Sequence, residues 1–190
     1  VFAKEIIDSF KEQYEIISSP RDILTILNKK TRQADFDNDA FKWFFTMTYI
    51  VYNHQTNKIK YATAAHPTVF HLKKNKNLYY GERLFSPSFA VGWFDEPNYQ
   101  QYEISFHQGD KLVLMTDGLM ETINEKDEHF GEERLLDLIL EELNTKQKFE
   151  DLDKLYCRIK KELTSFSGSS GLADDITLLI LDHRSEERRV

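Results

Sequence analysis

The hydrophobic pattern of this 190-residue chain changes from a helical period to a strand period and then back to a helical one. Residues 2–17 and 20–33 have apolar side chains spaced for two amphipathic helices. Aromatic and β-branched runs between residues 44 and 115 predict strands, and helical spacing returns at 131–144 and 149–166. Because the strands are grouped together, this order predicts an α+β fold with antiparallel sheets and excludes a parallel doubly wound sheet.

Polar turns separate the predicted strands, so that neighbours in the chain form antiparallel hairpins. A loop is predicted at residues 34–40, a flexible link at 167–171 and a charged tail at 184–190. Residues 1–183 are predicted to form a single domain. The predicted strands span residues 44–52, 58–65, 68–73, 77–80, 99–106, 111–115 and 176–181.

Aspartates border the two most apolar strands. Asp117 follows the run at residues 111–115, and Asp174 and Asp175 precede the run at 176–181. If these strands are antiparallel neighbours, the end of the first and the start of the second lie at the same edge of the sheet. Clustered carboxylates repel one another unless a hard cation holds them, and Mg²⁺ or Mn²⁺ suits oxygen ligands. Aspartate is also a common turn residue, so a plain turn and a metal site both stay open.

Composition and charge exclude several functional classes. The net charge is -7 and no basic stripe could follow a phosphate backbone, so a nucleic-acid partner is not expected. No apolar segment reaches the ~18 residues that span a bilayer, and no signal-peptide pattern is present. The one cysteine, Cys157, allows no internal disulfide and lies in a helical pattern that predicts a buried thiol. These features favour a cytoplasmic location.

The histidines give a weaker signal than the aspartates. His66 follows a predicted strand and is either a hydrogen-bonded residue at the sheet end or a catalytic acid. The other five histidines lack the spacing of metal ligands. The chain also has no P-loop, no Rossmann glycine pattern and no Gly-x-Ser-x-Gly turn.

Five motifs occur in a fixed order along the chain: YATAAHP at residues 61–67, GDKL at 109–112, TDGLME at 116–121, FGEERL at 130–135 and ADDITL at 173–178. Each motif alone is weak, but their order is specific. Over about residues 45–181, this ordered set resembles the catalytic domain of bacterial PP2C-like serine/threonine phosphatases of the SpoIIE and RsbU type. The two motifs upstream of Asp117 are part of this resemblance.

The resemblance implies a fold, a metal centre and a reaction. The implied fold is a PP2C-like sandwich of two antiparallel sheets flanked by helices. Asp117 and Asp174 are the implied metal ligands, with Asp175 as a neighbour or alternative, and the implied cofactor is a pair of Mn²⁺ or Mg²⁺ ions. The reaction would be hydrolysis of phosphoserine or phosphothreonine by metal-activated water, with no further catalytic side chain.

This chain departs from the family pattern in two places. It contains no Asp-x-x-Gly-His-Gly turn, which in the family supplies another metal ligand, so the chain is expected to begin just downstream of that turn. Metal binding by this chain is therefore expected to be weak or absent. Ala65 and Pro67 replace the usual Gly and Asn beside the family histidine.

Two functions follow from these observations. The first is a bacterial signalling phosphatase whose implied substrate is a phosphorylated protein resembling an anti-anti-sigma factor and whose implied regulator is an upstream sensor domain. The alternative is a catalytically degenerate PP2C-like module that acts as a binding or regulatory scaffold. A sandwich without its first strands would leave a sheet edge uncovered, so either upstream strands or a homodimer is expected.

Overall fold

The computed structural model describes residues 19–33, 43–145, 152–171 and 174–184. The described residues belong to two compact units. The described residues within 1–66 and 86–105 form the first unit, and those within 67–85 and 106–190 form the second. The described part of the first unit combines a helix with an antiparallel sheet, and that of the second combines several helices with another, which confirms the predicted α+β class. The prediction of a single domain over residues 1–183 stays a prediction.

Helix α1 (Pro20–Gln33) of the first unit matches the helix predicted at residues 20–33. The backbone N–H of Asp22 donates to the carbonyl oxygen of Ser19 at 3.1 Å, and Pro20 lacks the N–H that this position would leave unpaired. The helix packs on the first two strands of the unit. Its buried apolar side chains are Ile23, Leu24 and Leu27.

The sheet of the first unit has three strands in the order β1-β2-β5. Strands β1 (Met47–Asn53) and β2 (Lys58–Ala64) form the predicted hairpin, and β5 (Tyr102–Ser105) pairs with β2. Strand β5 is shorter than predicted because Tyr99 lies outside the ladder, where it is buried in the core. The core of this unit contains Ile23, Leu24, Leu27, Ala62, Ala64, Val91 and Tyr99.

A buried amide connects α1 to the loop that follows residue 91. The side chain of Asn28 is 1% exposed, and its Nδ2 donates to the carbonyl oxygen of Phe94 at 2.9 Å. Its Oδ1 accepts a hydrogen bond from the backbone N–H of Gly92 at 2.7 Å. Both bonds join segments that are distant in sequence, so this amide fixes the loop against the helix.

Replacing this amide should destabilise the protein. We expect Asn28→Ala to lower the free energy of unfolding by roughly 2–3 kcal/mol, because the buried N–H of Gly92 loses its acceptor. The matched control is Asn53→Ala, since Asn53 Oδ1 also accepts from backbone N–H groups, at 2.9 Å from Gln55 and 3.1 Å from Thr56, but is exposed. Water replaces the lost bonds there, so the control should cost under about 1 kcal/mol. Urea denaturation measures both variants, and equal losses would contradict the prediction.

The second unit contains a four-stranded sheet in the order β4-β3-β6-β7, with every neighbouring pair antiparallel. Strands β3 (Val69–Asn75) and β4 (Leu78–Leu84) form the second predicted hairpin. Strand β6 (Lys111–Met115) lies between β3 and β7 (Leu178–Asp182). The neighbours of β6 therefore come from opposite sides of it in the sequence.

Among the described residues, the second unit contains three α-helices. The one-turn helix α2 (Gly118–Glu121) follows β6, and the longer helices α3 (Glu132–Thr145) and α4 (Leu152–Ser167) pack on one another. Helix α3 also packs on β4. The core of this unit contains Phe70, Leu72, Tyr79, Val113, Met115, Leu119, Phe130, Leu135, Leu138, Ile139, Leu143, Leu155, Ile159 and Leu163.

Two predictions about α4 and the segment after it are wrong. Cys157 is exposed, because only Leu155 and the residues spaced from it at helical intervals face the core. The segment predicted as a flexible link contains a 3-10 helix, Gly168–Ser170. The hydroxyl of Ser169 donates to a carboxylate oxygen of Glu125 at 2.8 Å, which ties this helix to a neighbouring turn.

Several sequence predictions lie outside the described residues. These are the helix at 2–17, the loop at 34–40 and the charged tail beyond residue 184. Within the described ranges, no helix combines the length and the apolar character that crossing a membrane requires.

Candidate functional site

The predicted acidic segments meet at one edge of the second unit's sheet. Met115, the last residue of β6, is the register partner of Leu178, the first residue of β7. One residue beyond this pair, the backbone N–H of Thr116 donates to the carbonyl oxygen of Thr177 at 3.0 Å. The end of β6 and the start of β7 therefore share an edge, as the antiparallel arrangement predicts.

Asp117 starts a helix at this edge. Its carboxylate Oδ1 accepts a hydrogen bond from the N–H of Gly118 at 3.0 Å, and its carbonyl oxygen accepts from the N–H of Glu121 at 2.9 Å. The Asp-Gly pair that reads as a simple turn in the sequence is therefore the N-terminus of α2. The Asp117 side chain is exposed at the surface of the unit.

The segment at 174–175 runs directly beside Gly118. A Cβ atom at Gly118 would lie 2.8 Å from the carbonyl oxygen of Asp175 and 3.1 Å from Cβ of Asp174. Both aspartates are exposed, and Oδ1 of Asp174 accepts from the N–H of Asp175 at 2.7 Å. The structure thus places all three predicted site residues in two segments that touch one another.

The donor chemistry of these segments fits a hard divalent cation. Carboxylate oxygens suit Mg²⁺ or Mn²⁺, and Mg²⁺ is usually held by one or two carboxylates with water in its other positions. The close approach at Gly118 brings together the two segments that carry these carboxylates. The part of the chain that the structure describes contains no group of three or more His, Cys, Asp or Glu side chains able to hold a metal. The segments therefore fit as part of a ligand set, and their role as ligands stays a prediction.

An open groove lies next to the acidic segments. Its volume is about 890 Å³, and it runs between α4 and residues 174–178. Asp174 and Asp175 line it on one side, and Lys160 and the half-exposed Tyr156 line it on the other. Two carboxylates and one ammonium group therefore line the same groove, together with several apolar side chains.

A second polar pair, which the sequence analysis did not single out, lies at the opposite end of β6. His71 is fully buried, and its Nε2 lies 3.1 Å from Oδ2 of Asp110. Burial lowers the pKa of His71, although the hydrogen bond to Asp110 opposes this shift. Asp110 also accepts from the backbone N–H groups of Lys74 and His107, both at 2.9 Å. The five residues of β6 and Thr116, together about 20 Å of extended chain, separate this pair from Asp117, so the pair anchors the turn into β6.

His66 belongs to the first unit, where its Nδ1 lies 3.3 Å from the hydroxyl oxygen of Thr46. This contact agrees with a hydrogen-bonded histidine at the end of a strand. Thr116 and Gly118 lie in the TDGLME motif, but the sequence analysis did not predict that they support the acidic edge.

Comparisons with known proteins identify the family of this chain. A family model described as Stage II sporulation protein E (SpoIIE) matches residues 1–184. The chain is 29% identical over 162 residues to "Phosphoserine phosphatase RsbU" of Bacillus subtilis (strain 168). This match covers 85% of the chain but 44% of RsbU, so the chain spans less than half of that relative.

Solved structures show the same fold. The SiaA-PP2C domain of Pseudomonas aeruginosa superimposes with a TM-score of 0.68 at 19% identity, covering 86% of this chain and 61% of that one. RsbX in complex with magnesium superimposes with a TM-score of 0.53 at 15% identity, covering 93% of this chain and 68% of that one. Identities this low show a shared PP2C-like fold, whereas the family match extends over nearly the whole sequence. This chain therefore belongs to the SpoIIE family of PP2C-like phosphatase domains.

Proposed function

We propose that this domain hydrolyses phosphoserine or phosphothreonine on a signalling protein with the help of Mn²⁺ or Mg²⁺. The observation that carries the proposal is the contact between the Asp117 turn and the segment at 174–175, in a chain of the SpoIIE family. The relative RsbU is named a phosphoserine phosphatase, and RsbX was solved with magnesium. Both facts support a metal-dependent phosphatase.

Asp117 and Asp174 would hold the cation, with Asp175 as a neighbour or alternative. Oδ1 of Asp117 and Oδ1 of Asp174 each accept the N–H of the following residue, which orients both carboxylates. An ionised carboxylate has about four lone-pair positions, so these bonds leave acceptor sites for a cation. When bound, the ion would supply Lewis-acid chemistry to water and to the phosphoryl oxygens. The contribution of the protein would be to keep the negative groups together.

The groove beside Asp174 would receive the protein substrate. A phosphorylated side chain on an extended segment fits an open groove of about 890 Å³ better than it fits a closed cavity. Lys160 would attract the phosphate group or an acidic residue beside it, because the ammonium group is positively charged and donates strong hydrogen bonds to phosphate oxygens. The resemblance adds a substrate related to anti-anti-sigma factors and control by an upstream sensor domain.

A scaffold without catalysis is the second candidate. Two observations favour it: the described ranges contain no group of three metal-binding side chains, and the sequence contains no Asp-x-x-Gly-His-Gly turn. Such a module would use the same groove to bind a phosphorylated protein without releasing phosphate. The two candidates therefore differ in turnover and agree in binding.

Phosphate release by the intact protein decides between them. With p-nitrophenyl phosphate and with a phosphoserine peptide, we expect hydrolysis that requires Mn²⁺ or Mg²⁺. EDTA should stop the reaction, and excess Mn²⁺ should restore it, because the carboxylates hold the ion reversibly. Peptide binding by the intact protein with no phosphate release at millimolar Mn²⁺ or Mg²⁺ would establish the scaffold instead.

A further inference from the structure

We propose that Thr116 is a positioning residue of the metal centre. Its hydroxyl group ties the turn that carries Asp117 to the segment that carries Asp174 and Asp175. Because Gly118 has no side chain, the Asp117 turn and the segment at 174–175 can approach each other closely. This inference rests on the proposed function, because it assigns a role in holding the ion that the reaction requires.

The hydroxyl of Thr116 makes two hydrogen bonds across the edge of the sheet. Its Oγ1 accepts from the backbone N–H of Thr177 at 2.9 Å and donates to the carbonyl oxygen of Asp175 at 3.2 Å. A threonine hydroxyl has one donor hydrogen and two acceptor lone pairs. One side chain therefore satisfies two backbone groups that lie on either side of residue 176.

These bonds act where the backbone ladder ends. The last register pair of β6 and β7 is Met115 with Leu178, and one further backbone bond joins Thr116 to Thr177. Closer to the aspartates, the carbonyl oxygen of Asp175 accepts its hydrogen bond from the Thr116 hydroxyl and not from a backbone N–H of the neighbouring strand. The path of the chain toward Asp174 is thus set by this side chain.

Gly118 contributes through the space that it leaves open. Its backbone does not have a positive φ, so alanine could adopt the same conformation without strain. A Cβ atom there would nevertheless lie 2.8 Å from the backbone oxygen of Asp175 and 3.1 Å from Cβ of Asp174. Since a backbone atom cannot swing aside like a flexible side chain, the whole segment would have to shift.

Metal binding is sensitive to shifts of this size. Mg²⁺ requires oxygen ligands at about 2.0–2.1 Å in near-ideal octahedral geometry. Residues that orient metal ligands typically change affinity or activity by about 10- to 100-fold when they are replaced. Loss of the hydroxyl should therefore reduce Mn²⁺ affinity even though Thr116 touches neither the ion nor the substrate.

The test is calorimetric titration of the intact protein with Mn²⁺. We expect Thr116→Val, which keeps the shape of the side chain, to raise the Kd for Mn²⁺ by about 10-fold or more. Thr116→Ser restores the hydroxyl and should return the Kd to within about 3-fold of the wild-type value.

Thr122→Val is the matched control. Thr122 is buried, and its hydroxyl donates to the carbonyl oxygen of Gly118 at 2.8 Å without bonding to residues 174–177. Its removal should lower the melting temperature and leave the Kd for Mn²⁺ unchanged. A purely structural role of Thr116 would give the same result for both variants.

Gly118→Ala is an independent test, because it acts by adding a Cβ atom and removes no hydrogen-bonding group. We expect it to weaken Mn²⁺ binding as well, through the shift of the segment at 174–175. If Thr116→Val does not fold, this variant decides the question alone. Wild-type affinity in Gly118→Ala, or in a folded Thr116→Val, would overturn the inference and leave the proposed function standing. An intact wild-type protein that neither binds Mn²⁺ nor releases phosphate would overturn both.

Discussion

Asp117→Asn should reduce the Mn²⁺-dependent phosphatase activity of the intact protein by about 100-fold or more, because metal-ion catalysis contributes several kcal/mol and each 1.36 kcal/mol is a factor of ten in rate. Asparagine keeps the shape of the side chain, and its amide oxygen can still accept the N–H of Gly118. The substitution removes the negative charge that holds the cation. The measurement is initial phosphate release from a phosphoserine peptide at a fixed Mn²⁺ concentration.

Stability separates this effect from damage to the fold. Because the substitution removes one of several neighbouring negative charges, the melting temperature of the metal-free protein should not fall. Asp137→Asn is the matched control, since Asp137 is an exposed carboxylate on α3 outside the acidic edge. It should retain wild-type turnover. Full activity in Asp117→Asn would show that Asp117 serves only as the first residue before α2.

Local patterns predicted most of the secondary structure because each strand is bounded by its own turn residues. The hairpin at residues 47–64 and the strand Lys111–Met115 follow from alternating or continuous apolar runs. The local patterns did not predict which hairpins belong to the same sheet. Strand β3 pairs with β6, whose residues lie about 40 positions later in the chain, and no local signal specifies such a partner.

The two wrong predictions, for Cys157 and for the segment at 167–171, each have a physical cause. Cys157 lies two positions from the buried Leu155, which places it on the opposite side of a helix with 3.6 residues per turn. Its apolar neighbours in the sequence concealed this. A hydrogen bond joins Ser169 of the 3-10 helix at Gly168–Ser170 to Glu125, and composition alone cannot show a contact between residues that distant.

The candidate site was predictable in its acidic residues and not in its supporting residues. Asp117, Asp174 and Asp175 are marked by their places at strand ends, and antiparallel pairing then brings their segments together. The role of Thr116 depends on hydrogen bonds to Asp175 and to Thr177, which only the folded chain reveals. Sequence reasoning thus finds charged groups more easily than the neutral groups that position them.

Asp182→Ala should lower the free energy of unfolding by roughly 3–5 kcal/mol, which is the usual cost of removing one partner of a buried ion pair. Lys111 and Asp182 are register partners in β6 and β7, and Nζ of Lys111 lies 2.6 Å from Oδ1 of Asp182. Their side chains are only 5% and 10% exposed. The substitution would leave the ammonium group of Lys111 buried without this carboxylate. Urea denaturation at neutral pH measures the loss.

Two further variants show whether burial of the charge is the cause. Glu103→Ala breaks the ion pair between Lys58 and Glu103, whose side chains are 50% and 40% exposed, and should destabilise the protein far less than Asp182→Ala does. The double variant Lys111→Met with Asp182→Leu replaces the buried pair by apolar groups and should recover most of the lost stability. If the double variant were as unstable as Asp182→Ala, lost packing and not an uncompensated charge would explain the effect.

The pH dependence gives an independent measure of the same interaction. Burial alone would raise the pKa of Asp182, but the hydrogen bonds from Lys111 and Arg184 outweigh burial and hold this pKa below its usual range. A carboxylate with a lowered pKa contributes stability that is complete above the unfolded-state value of about 3.9 and is lost as the pH falls toward the folded-state pKa. The difference in unfolding free energy between wild type and Asp182→Ala should therefore be constant near neutral pH and shrink below about pH 4. A difference that stayed the same down to acid pH would mean that the ionised carboxylate is not what stabilises this end of the sheet.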